Sequence, residues 1–448
     1  MMAAADAAAV DRALTGCLQA VLADGRPRRL FVAYSGGRDS TALLLAAAAA
    51  RPWPAASLHA FHFDHGLHPD SADWAAHCRD MCRVLEIPLL VARADTRPPT
   101  GASLEAWARA ARYAAFAREL ASADLLLTAH HRDDLAETLL LMALRGSGPH
   151  GLASIAPQRP LGAGTLLRPL LDVPAAALDA RATQAGLAWL SDPSNADARH
   201  DRNFLRQSVL PMLTARWPGA VANLAMAATL QRGAAEVLDE YADRLLAPAC
   251  AGHTLDLDQL ANLAPGRQRL LLRRWLVGCG AHAPDRVTLA RVLDEVAGAR
   301  ADARPRLAWR GGEIRRYRRR LYWLSAPPPA PLSAPVAWLP HEALRLPGGV
   351  LRAQRVTGHG LREDLVAGRR LTVDVRRGGE RIRLSCAART LTVKHLLQQR
   401  GIPDWERALL PLIHLDGRLV AVADLGVAAD AIAGPQQAGL VFEFIRAP

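Results

Sequence analysis

Between about residues 11 and 171 the chain alternates short apolar runs with longer helix-forming segments. That alternation restricts it to a parallel sheet wrapped by helices, because parallel neighbours need a crossover between them. The apolar runs at 30–34, 58–63, 89–92 and 125–129 read as strands. Segments 41–50, 71–85, 103–121 and 133–144 follow them with few breakers and supply the crossover helices. The expected fold class is α/β, a doubly wound parallel sheet whose ligands gather at the carboxyl ends of its strands.

Beyond this region the pattern changes twice. A turn-rich stretch with Gly146, Gly148, Pro149, Gly151, Pro157 and Pro160 leads to a polar cluster around 192–206, and 220–296 then reads as helical, with Arg267, Arg269, Arg273 and Arg274 clustered. The sequence Pro-Pro-Pro-Ala-Pro-Leu-Ser-Ala-Pro at 327–335 cannot form a helix interior or a central strand, since proline lacks the amide hydrogen and fixes φ. It reads as a linker. Alternating segments around one amphipathic run at 392–400 make the remainder a small α+β domain. The division expected is 1–218, a small helical domain 219–326, and 336–448.

Charge narrows the partners. Fifty-five Lys+Arg against 43 Asp+Glu leave a formal +12, a balance that favours polyanions such as nucleic acid. Lys394 is the single lysine, so nearly all of that charge is arginine. Six cysteines with no Cys-x-x-Cys pair argue against a disulfide framework or a zinc ribbon. The apolar run at 42–50 is about nine residues where a bilayer needs roughly twenty. With no membrane span and no secretory signature at the N-terminus, a cytoplasmic location is expected.

The densest chemistry follows the first strand, in Tyr34-Ser35-Gly36-Gly37-Arg38-Asp39-Ser40. Two glycines let the backbone turn and approach an anion, and Ser35, Ser40 and the first amides of the following helix donate toward it. Asp39 would repel a triphosphate unless a cation lay between them, which assigns it to Mg²⁺. The lysine of a G-x-x-x-x-G-K-[ST] loop is missing, so γ-phosphoryl transfer fits poorly. His62 and His65-Gly66 stand at the end of the second strand, where a nucleotide should lie. Glu105, Arg109 and Arg112 share one helix face, with Arg112 a candidate to balance developing negative charge. Around the next helix start, His130, Asp133, Asp134 and Glu137 gather more acid than a cap requires, for Mg²⁺ or for an ammonium substrate.

Ser-Gly-Gly-x-Asp-Ser after an N-terminal strand resembles the pyrophosphate (PP) loop of N-type ATP pyrophosphatases. With His65-Gly66-Leu67, the Glu105 to Tyr113 and His130 to Glu137 runs, and Arg145-Gly-Ser-Gly-Pro149, the chain resembles the bacterial tRNA(Ile)-lysidine synthetases. Asp192-Pro-Ser194-Asn195 followed by Arg202-Asn203-Phe-Leu-Arg206 is similar to a second signature of that family. Arg376-Arg377-Gly-Gly and the segment around Lys394 are similar to its C-terminal tRNA-contact domain.

The resemblance implies an ATP-dependent ligase. It would adenylate C2–O of the wobble cytidine in the CAU-anticodon isoleucine tRNA and let free lysine displace AMP. It further implies ATP at Ser35, Gly36, Gly37, Arg38, Asp39, Ser40, His62, His65 and Gly66, and lysine at Asp133, Asp134 and Glu137. Asp39, Arg112, His130 and Asp134 would be catalytic, with Asp39 on Mg²⁺. Arg145, Asp192, Ser194, Asn195, Arg202, Asn203, Arg206, Arg376, Arg377 and Lys394 would contact tRNA. The protein would act as a monomer or a homodimer. Two rivals are a tRNA 2-thiolase, for which Cys78 and Cys82 on a predicted outer helix are poor material, and a non-enzymatic nucleotide- and RNA-binding protein.

Overall fold

The computed structural model describes residues 2–26, 28–53, 55–99, 101, 103–153, 155–191, 197, 199–300, 303–309, 311–384 and 389–446. The chain divides into two compact units, Met1–Glu240 and Tyr241–Pro448.

In the first unit, helix α1 (Met2–Leu22) precedes strand β1 (Arg28–Ala33). The order continues with α2 (Arg38–Ala49), β2 (Ala56–Asp64), α3 (Ser71–Val84), β3 (Leu89–Arg93), α4 (Leu104–Glu119), β4 (Leu125–Leu127) and α5 (Arg132–Leu144). A short α6 (Pro149–Leu152) leads to β5 (Gln158–Leu161), β6 (Gly164–Leu167) and α7 (Ala175–Gln184). The sheet order is β3-β2-β1-β4-β6-β5, parallel except for the antiparallel edge strand β5. Strand periodicity explains the two helical layers. Leu30 and Val32 of β1 point into a core with α1, α2, α3 and α7, while Phe31, between them, points into a second core with Phe61, Phe116 and Leu126. Burying each such side chain contributes roughly 1.5–3 kcal/mol. The chain changes layer between β3 and β4, so a switch point opens between the carboxyl ends of β1 and β4.

The helical reading of 219–326 holds for Ala220–Ala249, Pro265–Gly278 and Arg286–Arg291, but from residue 250 onward the helices cover a five-stranded sheet that it did not include. Cys250–Ala251 and Thr254–Asp256 form one hairpin of it, and Arg306–Trp309, Gly312–Tyr317 and Arg320–Leu324 complete it. These strands are short and arginine-rich, which hides a period of two: Leu307, Ile314, Leu321 and Trp323 enter the core. Arg316 is also buried, because its guanidinium is used up on the carbonyls of Ala297, Ala299 and Arg300 at the end of a neighbouring helix. Residues 327–335 form no helix or strand. The remainder is α+β, with a five-stranded and a four-stranded sheet around helix Val393–Gln399.

Candidate active site

The loop after β1 is held by packing that only glycine permits. Gly36 has φ +83°, and a Cβ there would stand 2.6 Å from Leu190 Cδ1 and 3.1 Å from Cys78 Sγ. Leu190 donates its N–H to the Gly36 carbonyl at 2.9 Å, fixing the turn. Gly37 is the N-cap of α2, so the amides of Arg38, Asp39 and Ser40 are the first-turn donors that lack helical acceptors. Ser40 Oγ donates to the Gly37 carbonyl at 2.9 Å and lies 3.0 Å from Ser35 Oγ, which ties both serines into one cradle. The helix N-terminus and its free amides make this a phosphate seat.

Asp39 projects from the first turn of α2 toward the switch point. Its Oδ1 accepts from Arg38 Nε at 3.0 Å, and its Oδ2 lies 3.6 Å from His131 Nε2. Burial opposes ionisation of this carboxyl, but His131 and Arg38 outweigh it and hold the pKa down to about 2. Arg38 also lies 3.6 Å from Asp179. His131 caps α5 and is almost wholly buried; its pKa is raised, since Asp39, Asp134 and Asp133 together outweigh desolvation. His131 is the residue that the sequence reading missed. The signal for it was the His130-His131 doublet in extended backbone, where consecutive side chains point in opposite directions.

His130, the histidine singled out from sequence, faces away from Asp39. Its Nδ1 shares a 2.9 Å hydrogen bond with Thr128 Oγ1. Burial, then the guanidinium groups of Arg168, Arg202 and Arg109, keep it neutral despite Asp134. Asp134 accepts the His131 N–H at 3.0 Å, while Asp133 accepts the Ala175 N–H at 3.0 Å and so caps α7.

Glu137, at 0% exposure, and Asp134 form a buried acid pair that two arginines neutralise. Arg202 donates to Glu137 at 2.7 Å and to Asp134 at 2.6 Å; Arg206 donates to Glu137 at 2.6 and 3.0 Å and to Asp134 at 3.3 Å. Residues expected to hold lysine and residues expected to hold RNA thus meet in one network. Asn203, between the two arginines in sequence, donates to the Asp197 carbonyl at 3.0 Å. Arg145 sits 3.9 Å from Asp201 on the surface. Asp192, Ser194 and Asn195 lie outside the described residues.

At the end of β2, His62 donates Nδ1–H to the Tyr34 carbonyl at 3.0 Å and lies 3.4 Å from Cys78 Sγ, so it supports the loop from beneath. His65 Nδ1 is buried without a hydrogen-bond partner, and its pKa is pushed down to about 4 by burial and then by Arg112. Gly66 turns the chain at φ +63°. Arg112 lies near Tyr113, its guanidinium carbon 5.8 Å from the ring centroid.

In the second unit, Arg377 is held by Asp374 at 2.8 Å and by the Leu332 carbonyl at 2.9 Å. Arg376 has a buried Nε without a partner, and Lys394 is exposed on its helix. A separate cleft of about 360 Å³ is lined by Arg304, Arg316, Tyr317, Arg318, Gln398, Asp404 and Arg407, with Arg304 paired to Asp404 at 3.1 Å. Among the described residues, no helix is long and apolar enough to cross a membrane.

Comparison with known proteins adds three family matches: a PP-loop domain at residues 11–213, a TilS substrate binding domain at 255–322 and a TilS substrate C-terminal domain at 371–444. The chain is 44% identical over 409 residues to the tRNA(Ile)-lysidine synthase of Alkalilimnicola ehrlichii, covering 90% of this chain and 91% of that one. It is 40% identical over 417 residues to the tRNA(Ile)-lysidine synthase of Methylococcus capsulatus, with 92% and 94% covered. With the enzyme of that name from Coxiella burnetii it shares 39% identity over 399 residues, 87% of each chain.

Proposed function

Since the chain belongs to the tRNA(Ile)-lysidine synthase family, we propose that it joins free L-lysine to C2 of the wobble cytidine in the CAU-anticodon isoleucine tRNA, using ATP. The C2 oxygen attacks the α-phosphorus and pyrophosphate leaves. The lysine amine then attacks C2, AMP departs with that oxygen, and the amine loses a proton. Lysidine results.

The observation that carries this reading is the meeting of the glycine cradle, Asp39 and the His131–Asp134–Glu137 cluster at one switch point. The cradle's amides and serines would hold the phosphates. Asp39 stays ionised far below neutral pH on a carboxylate about one-third exposed, which fits Mg²⁺ held jointly by one acid and the nucleotide. Bound there, the ion supplies charge neutralisation for the departing pyrophosphate. His131, whose pKa is raised by its acidic neighbours, would add positive charge beside Asp39. Asp134 and Glu137, already neutralised by Arg202 and Arg206, would shape the lysine site rather than supply free negative charge, and Asp134 with neutral His130 would orient the attacking amine. Arg112 would balance charge on the activated cytidine. The second unit's arginines, with Lys394, would hold the body of the tRNA.

Among the described residues, Cys78 and Cys82 do not favour a sulfur-transfer reading, since burial raises them to about 12 and about 11. The test is mass spectrometry of the wobble nucleoside after incubation with ATP and isotopically labelled lysine. Mass gain equal to labelled lysine less water supports the reading. An unmodified nucleoside with active, ATP-binding protein overturns it.

A further inference from the structure

Tyr113, near the middle of α4, is ringed by arginines. The guanidinium carbons of Arg159, Arg109 and Arg112 lie 4.9, 5.1 and 5.8 Å from its ring centroid. A fourth, Arg168, stands beside its hydroxyl. Arg168 is only 6% exposed, and its Nε is buried without an acceptor. Arg168 bonds the Tyr113 hydroxyl and the Ala156 carbonyl, and Arg159 the Pro160 carbonyl, partners among which there is no carboxylate to compensate either charge. The groups feel one another: Arg112 is shifted down by burial and then by Arg109, and Arg168 by burial and then by Arg159 and Arg109. Even Tyr113 titrates below its usual range, because Arg109, Arg168 and Arg112 together outweigh its burial. Among the described residues, no carboxylate forms an ion pair with any of the four.

Four positive charges around one ring repel unless an anion joins them. Sheet register fixes where that anion would sit. Leu127 of β4 pairs with Leu167 of β6, so Arg168 follows immediately beside Thr128, whose hydroxyl holds His130. The ring therefore borders the lysine-side histidine, while the glycine cradle lies one strand further along, after β1. A short, forked guanidinium suits a phosphate better than a single ammonium does.

We propose that Arg109, Arg112, Arg159 and Arg168 around Tyr113 form a phosphate site that grips a backbone phosphodiester of the RNA strand, next to the base presented at His130. It rests on the tRNA reading above and names the part of the substrate that this edge of the sheet holds. ATP also carries phosphates, so the test separates the two sources.

Arg159→Ala on β5 removes one charge from a half-exposed edge position, and Arg159→Lys restores a charge. Both are measured in the full chain against a CAU anticodon hairpin over a range of salt, and against α,β-methylene-ATP. The expected result is a three- to tenfold weaker hairpin affinity for Arg159→Ala. Its log–log salt slope should also fall by about 0.7, as for one lost single-strand phosphate contact, with partial recovery in Arg159→Lys and unchanged nucleotide affinity. Weakened nucleotide binding with an intact hairpin slope would overturn the proposal and give the site to ATP. Unchanged binding of both would overturn it too, leaving a structural cluster. Arg109→Ala, at an exposed position, serves equally if Arg159→Ala does not fold. Lysidine formation by the wild type is scored in parallel: hairpin binding with the predicted slope but no lysidine would sink the functional reading while the phosphate site stood.

Discussion

Two groups of arginines stand on the same sheet edge and differ in one respect. Arg202 and Arg206 each contact both Asp134 and Glu137, so two partly exposed positive charges meet two buried negative ones. Arg109, Arg112, Arg159 and Arg168 surround Tyr113 with no carboxylate among them. The first group is satisfied from within: its bidentate bonds fix the acid pair and dock helix Asp201–Phe204 onto α5. The second group is not, so its free energy falls only when something anionic arrives. The same residue type thus builds geometry where it is neutralised and binding potential where it is not.

That difference breaks most directly at Glu137. Glu137→Gln leaves two partly exposed guanidinium groups sharing one buried acid, so the loss should fall short of a fully buried pair and lie at about 1–3 kcal/mol. Urea unfolding of the first unit should show a loss of that size; an unchanged midpoint would mean the network is dispensable. Asp39→Asn comes next. It keeps shape and removes the charge that faces His131 and the phosphates, so kcat should fall by about 10²–10³ with tRNA affinity retained. Undiminished turnover in steady-state assays would remove Asp39 from the chemistry. Arg159→Ala makes the sharpest contrast with Glu137→Gln: relief of repulsion offsets lost packing, and stability should change by less than about 0.5 kcal/mol. A loss as large as at Glu137 would erase the distinction between the two groups.

Much of this was legible before any coordinates. The four strands and crossover helices of the first unit follow from periodicity, and Ser35 to Ser40 follows from the chemistry of a strand–glycine–helix junction. Pairings across 65 to 72 residues, Arg202 and Arg206 onto Asp134 and Glu137, left no local trace. Acids and arginines were therefore assigned to separate ligands, although they bind each other. Asp133 was read as a ligand of lysine, whereas its acceptor is occupied by an amide of α7, a tertiary cap invisible in a window of one helix. Backbone direction, which composition does not carry, decides that His131 rather than His130 reaches Asp39. In the second unit, the strands 306–324 escaped notice because arginine stands at both inward and outward positions, Arg316 being neutralised by carbonyls where an apolar residue is the rule.

The uncompensated group also leaves a smaller mark, on His65. Burial is the main reason that this imidazole titrates near 4, and the Arg112 guanidinium adds to it. Both effects disfavour the imidazolium, so the folded pKa lies below the unfolded value of about 6.5. The sign follows: stability from neutral His65 is fully present above about pH 6.5 and is lost as pH falls toward 4, because only the unfolded chain can take up the proton. His62 and His130, also lowered, act in the same direction. Arg112→Gln removes one positive neighbour and leaves the burial, so NMR titration of His65 should move upward yet stay below 6.5. The acid-side loss of thermal stability should become shallower in step. No movement of His65 would mean that the arginine charges around Tyr113 are already screened by solvent, and the contrast with the Asp134–Glu137 network would then rest on hydrogen-bond geometry rather than on unbalanced charge.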